Sequence, residues 1–433
     1  MKIAMLTNNY KPFIGGVPIS VERLAEGLRS LGHQVTVFAP EGAGWEEERD
    51  VVRFRVLYEW RDKGLVIGNF SDSRIEKRFR EEQFDVIHVH HPVVIGFTAV
   101  YLSKKYGIPL AYTYHTRYEE YLHYFKLYER MAAGREPVRN AARFSREVLV
   151  PGYLNTFTDQ CDTVFVPTAS MKECLVKQGV ATPLEVLPTG IGEEAFKRDP
   201  EREREIRSRY LNGEPWLFAT TARLEKEKNL DFLLRGAARL KELVGDCFRI
   251  LIIGDGTRKE PLKNLAEKLG IGRQIVFIGR VPNAEVSHYL HAADGFLFAS
   301  KSETQGIVLL EAMAAGCPVV AVHASGVVDV VSQGKNGFMT GEEEEEWASA
   351  AARLMTEPQL YQKLSAGAAE TASLYKAETV AREAEHQYRK MIERRTSPEW
   401  EYSGRQLPVP SFLRLFKTEI GRASCRERVS SPV

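Results

Sequence analysis

Cysteine is scarce in this chain of 433 residues: five stand at positions 161, 174, 247, 317 and 425, never as Cys-x-x-Cys. Such scattered cysteines argue against a disulfide framework and against a cysteine-bound zinc site. No apolar run reaches membrane-spanning length, and the first residues read as a core strand and not as a signal peptide. Excess positive charge is missing too; a net charge of +1 does not point to nucleic acid as the partner. What remains is a composition of 44% hydrophobic and 27% charged residues, that of a soluble globular protein long enough for two α/β domains. The expected location is the cytoplasm, or the inner face of the cell membrane as a peripheral protein.

Strand-like and helix-like runs alternate throughout. Strands are expected at 2–7, 35–38, 86–89, 110–114 and 164–166, then at 216–219, 249–253, 275–277, 295–298 and 318–322. This alternation predicts parallel sheets covered by helices on both faces. The break falls between Pro188-Thr189-Gly190 and the charged segment 200–209, giving a first domain over 1–195 and a second over 196–376.

Three strand-to-helix turns carry chemistry. Gly15-Gly16 follows the first strand and precedes a helix with Val17, Val21, Leu24, Leu28 and Leu31 at helical steps. Adjacent glycines there let backbone approach a ligand, although no G-x-G-x-x-G is present and a plain tight turn would look alike. Arg223 and Lys228 lie in the turn after the 216–219 strand, where α/β sheets place ligands. They suit a diphosphate clamp; the plain alternative is two solvated cations. Glu303 and Glu311 have seven residues between them, and Gly306 opens an apolar helix at Ile307. The unpaired N–H groups of that helix N-terminus suit a phosphate, and the carboxylates suit sugar hydroxyls.

With His115, Ile253-Gly254-Asp255-Gly256, Gly279-Arg280-Val281 and Asn336-Gly337-Phe338, these motifs stand in the order of glycosyltransferase family 4, which the chain resembles over roughly residues 1–390. One departure is Ala222, where the family usually carries glycine before the arginine. The resemblance implies a GT-B fold, two Rossmann-like domains facing across a cleft, with a last helix near 377–397 crossing back to the first domain. It implies retaining hexosyl transfer from a nucleotide diphosphate sugar, expected to be UDP-glucose, with no cofactor and no metal. Consistently, no Asp-x-Asp occurs. By resemblance Arg223, Lys228 and the N–H groups at Gly306 and Ile307 stabilise the leaving diphosphate. Glu303 holds sugar hydroxyls, Glu311 the ribose, and the backbone at Arg280 and Val281 the base. Gly15 and Gly16 bring backbone to the diphosphate, and His115 meets the sugar or the acceptor. Without the resemblance, His115 reads as an ordinary core or surface histidine. Backbone contacts to the base leave uridine and guanosine open.

The tyrosine-rich stretch 112–125 and the motif Ser302-Glu303-Thr304-Gln305-Gly306 are similar to the branch of the family that glucosylates diacylglycerol. The net basic segment 126–150, with Arg130, Arg135, Arg139, Arg143 and Arg146, favours an anionic membrane surface over a merely solvated helix face. A soluble or polysaccharide acceptor is the alternative; further off stand a nucleotide-sugar epimerase and a non-catalytic binder. The stretch 419–429 resembles translated sequencing-adapter read-through, so no function is assigned to the tail 398–433, and truncation after Arg394 is expected to spare activity.

Overall fold

The computed structural model describes residues 1–397 apart from 14, 43, 46, 61–64, 70–71, 118–125 and 302. Among the described residues fifteen strands run in chain order: β1 (Lys2–Leu6), β2 (Gln34–Pro40), β3 (Val51–Phe54), β4 (Val56–Trp60), β5 (Leu65–Gly68), β6 (Val86–Val89), β7 (Leu110–Thr113), β8 (Thr163–Val166), β9 (Leu184–Val186), β10 (Trp216–Thr221), β11 (Phe248–Ile253), β12 (Ile275–Gly279), β13 (Gly295–Phe298), β14 (Val319–Val322) and β15 (Gly337–Thr340). The first sheet has the order β3-β2-β1-β6-β7-β8-β9 and the second β12-β11-β10-β13-β14-β15. All pairings within both are parallel, as the apolar runs of β1, β6 and β14 require of strands buried on two faces. β4 and β5 form a separate antiparallel pair, which the alternation did not predict. β3, β9 and β15 also escaped it, because they are edge strands of three or four residues whose apolar runs are too short to stand out.

Strand order reverses between β1 and β6 in the first sheet and between β10 and β13 in the second. In open parallel sheets the crevice at such a reversal, beyond the carboxyl ends of the strands, is where ligands bind. The turns singled out in the sequence follow these strands: Gly15-Gly16 after β1, Arg223–Lys228 after β10 and Glu303 after β13.

The chain passes twice between the two sheets, and the passages lie side by side. The Ile191 N–H donates to the Tyr375 carbonyl at 2.7 Å, and the Ala377 N–H to that of Ile191 at 2.9 Å. The helix Ala377–Thr396 then packs with Val380, Ala381, Ala384, Tyr388 and Met391 into the core around β1, β2 and the helix Gly16–Ser30. Arg395 closes it with a two-pronged ion pair to Asp162, Nε to Oδ1 at 2.8 Å and Nη2 to Oδ2 at 2.9 Å. That pair revises the expected truncation point, because cutting after Arg394 removes a nearly buried contact. The tail 398–433 lies outside the described residues.

Candidate active site

The segment Glu303–Gly306 is tied from both sides. Gly306 takes φ +69°, the left-handed region, so that the helix Ile307–Ala314 starts at a sharp angle to the loop. Gln305, buried, donates from Nε2 to the Thr189 carbonyl at 3.0 Å and accepts from the Thr189 N–H at 2.7 Å. Thr304 donates from Oγ1 to the carbonyl of His115 at 3.1 Å. The loop after β13 thus meets the loop after β7 across the cleft.

Glu303 is held as an anion. Burial pushes its carboxyl up, but the Lys228 cation, its hydrogen bond and that of Ser300 outweigh this, with Arg223 adding to the pull, so the net shift is downward. Lys228 Nζ stands 2.6 Å from Glu303 Oε1, and Ser300 Oγ donates to the same oxygen at 2.8 Å. Lys228 ends a single turn, Lys226–Lys228, and Asn229 behind it is left-handed at φ +54°. The Arg223 loop is zipped to the next loop: the Ala222 N–H donates to the Ile253 carbonyl and the Leu224 N–H to that of Asp255, both at 3.0 Å. Gly254, at φ +137°, sits so close that a side chain there would lie 1.9 Å from the Ala222 carbonyl oxygen. Arg223 is exposed and pairs with Glu227 at 3.1 Å.

Glu311 points to an unexpected partner, since Oε1 accepts from Arg23 Nη2 at 2.8 Å. Arg280 and Val281 follow β12 at the sheet edge. Arg280 is exposed and forms no ion pair among the described residues, while Val281 packs against the core of the second unit. Gly15 and Gly16 open the first helix without positive φ, Gly15 being extended at −178°. A side chain at Gly15 would press on the Phe13 ring at 3.1 Å, whereas one at Gly16 would meet nothing within 4 Å, so space at Gly16 stays free for a ligand.

The first-domain wall is lined by imidazoles. His115 Nε2 and His90 Nδ1 share a hydrogen bond of 2.9 Å with their rings stacked, and His90 leans on His88 at 4.2 Å. His88 is bonded to Tyr388 OH at 2.7 Å and Thr113 Oγ1 at 2.6 Å. His91 Nδ1 receives the Asn8 N–H at 3.1 Å. Burial pushes all of them toward neutrality: His88 to about 3, His91 to about 4, and His90 and His115 well below the ordinary imidazole value. Beside them Val94 is held at φ +62°, ψ −91°, a strained state for a β-branched residue.

The structure therefore joins Arg223, Lys228 and Glu303 to one another and to the His115 loop, and brings Glu311 to the first domain. Arg280 and Val281 stand at the end of a neighbouring strand. Missed in the sequence were Arg23, Gln305, Ser300 and the histidines before His115. His88-Val89-His90-His91 at the end of an expected strand was a usable signal. Of the tyrosines, Tyr112 and Tyr114 belong to the core, and 118–125 lie outside the described residues.

A fixed cation, a helix N-terminus and paired carboxylates can bind a phosphorylated, hydroxyl-rich ligand and stabilise charge that develops on it. Comparison with known proteins agrees. The model described as Glycosyltransferase Family 4 matches residues 14–194, and that described as Glycosyl transferases group 1 matches 201–371. An alpha-monoglucosyldiacylglycerol synthase of Acholeplasma laidlawii is 29% identical over 403 residues, covering 91% of this chain and 98% of its own. One of Streptococcus pneumoniae is 30% identical over 332 residues, 74% of this chain and 71% of the relative. Among solved structures, HepE of Anabaena in complex with UDP superposes with a TM-score of 0.69 at 18% identity, over 90% of this chain and 100% of that one. The chain belongs to glycosyltransferase family 4 and has the GT-B fold. It is a hexosyltransferase, similar to the glycolipid-synthesising members.

Proposed function

We propose that the enzyme moves glucose from UDP-glucose to diacylglycerol or a related membrane lipid, with retention at the anomeric carbon. The carrying observation is the Lys228–Glu303 pair of 2.6 Å beside the N-terminus of the helix Ile307–Ala314. As the sugar–phosphate bond breaks, negative charge grows on the diphosphate, and Arg223, Lys228 and the N–H groups at Gly306 and Ile307 stabilise it. Glu303, kept ionised, accepts from sugar hydroxyls and faces the positive charge on the anomeric carbon. Glu311 accepts from the ribose, the backbone at Arg280 and Val281 meets the base, and Gly15 and Gly16 let the first domain close on the diphosphate. His115 is a neutral hydrogen-bonding group at the sugar and acceptor side.

A lipid acceptor is supported by the activities named for the two synthases and by the segment 136–158. There Val138, Phe144, Val148 and Leu149 are exposed, Phe144 at 53% and Leu149 at 54%, among exposed Arg139, Arg143 and Arg146. Apolar side chains interleaved with arginines suit an anionic lipid surface. No helix among the described residues is long and apolar enough to cross a membrane, so peripheral attachment on the inner face of the cell membrane is the proposed mode. The test is transfer of label from UDP-glucose into diacylglycerol in anionic vesicles, with the anomeric configuration of the product read by NMR. Lipid-phase label that disappears with Glu303→Ala is the expected result. Hydrolysis without lipid label would move the acceptor to a soluble class.

A further inference from the structure

Arg23 is a guanidinium buried to 7% exposure on the helix Gly16–Ser30, on the face it shares with buried Ser20 and Gly27. Its three contacts fall in two parts of the molecule, the segment that joins the two units and the second unit itself. Nη1 donates to the Gly190 carbonyl at 3.3 Å, in the segment that joins the two units. Nη2 reaches Glu194 Oε1 at 3.5 Å and Glu311 Oε1, in the second unit, at 2.8 Å. The Arg23 and Glu311 side chains retain only 8% and 14% of their exposure. A buried ion pair is a weak source of stability, because desolvating both charges offsets most of their attraction, whereas a well-packed apolar pair would suffer no such cost. Geometry is the better account of this one. A carboxylate has acceptor positions to spare, and among the described residues Glu311 Oε2 accepts no hydrogen bond.

We infer that Arg23 is a positioning residue for the donor nucleotide: by anchoring Glu311 Oε1 it fixes the carboxylate plane and leaves Oε2 for a ribose hydroxyl. This rests on the reading that Glu311 holds the ribose. Because Arg23 stands on the other unit and also grips the crossing segment at Gly190, ribose recognition is coupled to closure of the cleft. A carboxylate set in advance loses less rotamer freedom on binding, and closure and nucleotide binding favour each other by the same factor. Glu194, more exposed at 57% of its side chain, shares the guanidinium without competing for Glu311.

The experiment is calorimetric titration of the full chain with UDP and with 2′-deoxy- and 3′-deoxy-UDP, GDP replacing UDP if it binds more tightly. Wild type, Arg23→Ala, Arg23→Lys, Glu311→Ala and the double alanine variant are compared, with melting temperatures recorded for each. Arg23→Ala is expected to weaken the ribonucleotide by about tenfold and to lose most of the preference over the deoxy analogues, as expected for one charged hydrogen bond. Arg23→Lys should recover part of that preference, and the double variant should be no worse than Glu311→Ala. A mere contact between units would lower melting temperature or affinity for all three nucleotides alike, leaving the preference intact, and that result overturns the inference. So does tighter ribonucleotide binding by Arg23→Ala, which would make Arg23 a competitor of the ribose. If Arg23→Ala proves unstable, Arg23→Met, which keeps the apolar stem and donates no hydrogen bond, keeps the test open, since an unchanged preference in Met together with its loss in Glu311→Ala removes Arg23 and spares the ribose reading. Should Glu311→Ala keep the ribose preference, the ribose reading itself fails and the inference with it.

Discussion

The second-unit wall of the cleft carries permanent charge, Lys228 and Arg223 against an ionised Glu303, on short turns shaped by Gly254 and Gly306. Across from it the first unit presents His88, His90, His91 and His115, all pushed toward neutrality by burial. The difference suits the roles proposed for the two walls. A diphosphate needs charge fixed before it arrives, since donors already oriented lose nothing to reorganisation when negative charge grows. A sugar or acceptor hydroxyl needs hydrogen-bonding groups that carry no charge, because a charged imidazole in so dry a place would be costly. Rigid turns suit the first task, and a stack of rings wedged against Tyr388 suits the second.

Breaking the charged side should have the largest effect. Glu303→Ala is expected to lower kcat by about a thousandfold while UDP affinity stays within about threefold, as its proposed contact with the sugar requires. Loss of UDP binding, or intact turnover, would remove Glu303 from that role. Lys228→Met and Arg223→Ala should each lower kcat/KM by about a hundredfold. In Lys228→Met the acid limb of the pH–rate profile should also move to higher pH, since burial is then less opposed at Glu303. An unmoved limb would mean that the limb reports another group.

The neutral side is probed by acid. His88 has its pKa depressed from 6.5 to about 3 in the folded chain, so below pH 6.5 the unfolded chain takes up the proton and the folded one does not. Stability from this residue is thus complete above pH 6.5 and is lost as pH falls toward 3, amounting to about 2 kcal/mol by pH 5. His88→Gln should flatten the fall of denaturant stability between pH 7 and 5 by about one proton. An unchanged slope would show that His88 is protonated when folded. Smaller effects belong to the outer face and the chain end. Phe144→Ser with Leu149→Ser should cut partition onto anionic vesicles by about tenfold at constant melting temperature; full binding would clear this face of membrane contact. Truncation after Ser397 should change neither melting temperature nor transfer, whereas truncation after Arg394, which severs the Arg395–Asp162 pair, should melt a few degrees lower, about what loss of a kilocalorie or two brings. Equal melting of the two would make that pair dispensable.

Local features are legible in the residues themselves. Alternating apolar runs imply parallel sheets, and turns containing Gly15-Gly16, Arg223–Lys228 and Glu303-to-Glu311 mark the carboxyl ends of strands, where β1, β10 and β13 indeed end. Every such signal spans a dozen residues or fewer. The partners that tune these turns are remote: Arg23 and Glu311 are 288 positions apart, His88 and Tyr388 300, and Thr189 and Gln305 116. Nothing local distinguishes Arg23 from an arginine on a solvated helix, and His88 reads as part of an apolar strand. By itself the sequence determined which backbone forms and which charges each turn offers, because hydrophobic period, glycine and strand-to-helix order act over one or two turns of chain. Only the tertiary structure decided which charges are paired, which imidazoles are kept neutral and which carboxylate is anchored from the opposite unit. Burial and pairing depend on how two separately cored units close upon each other, and that distance is written in no single stretch of residues.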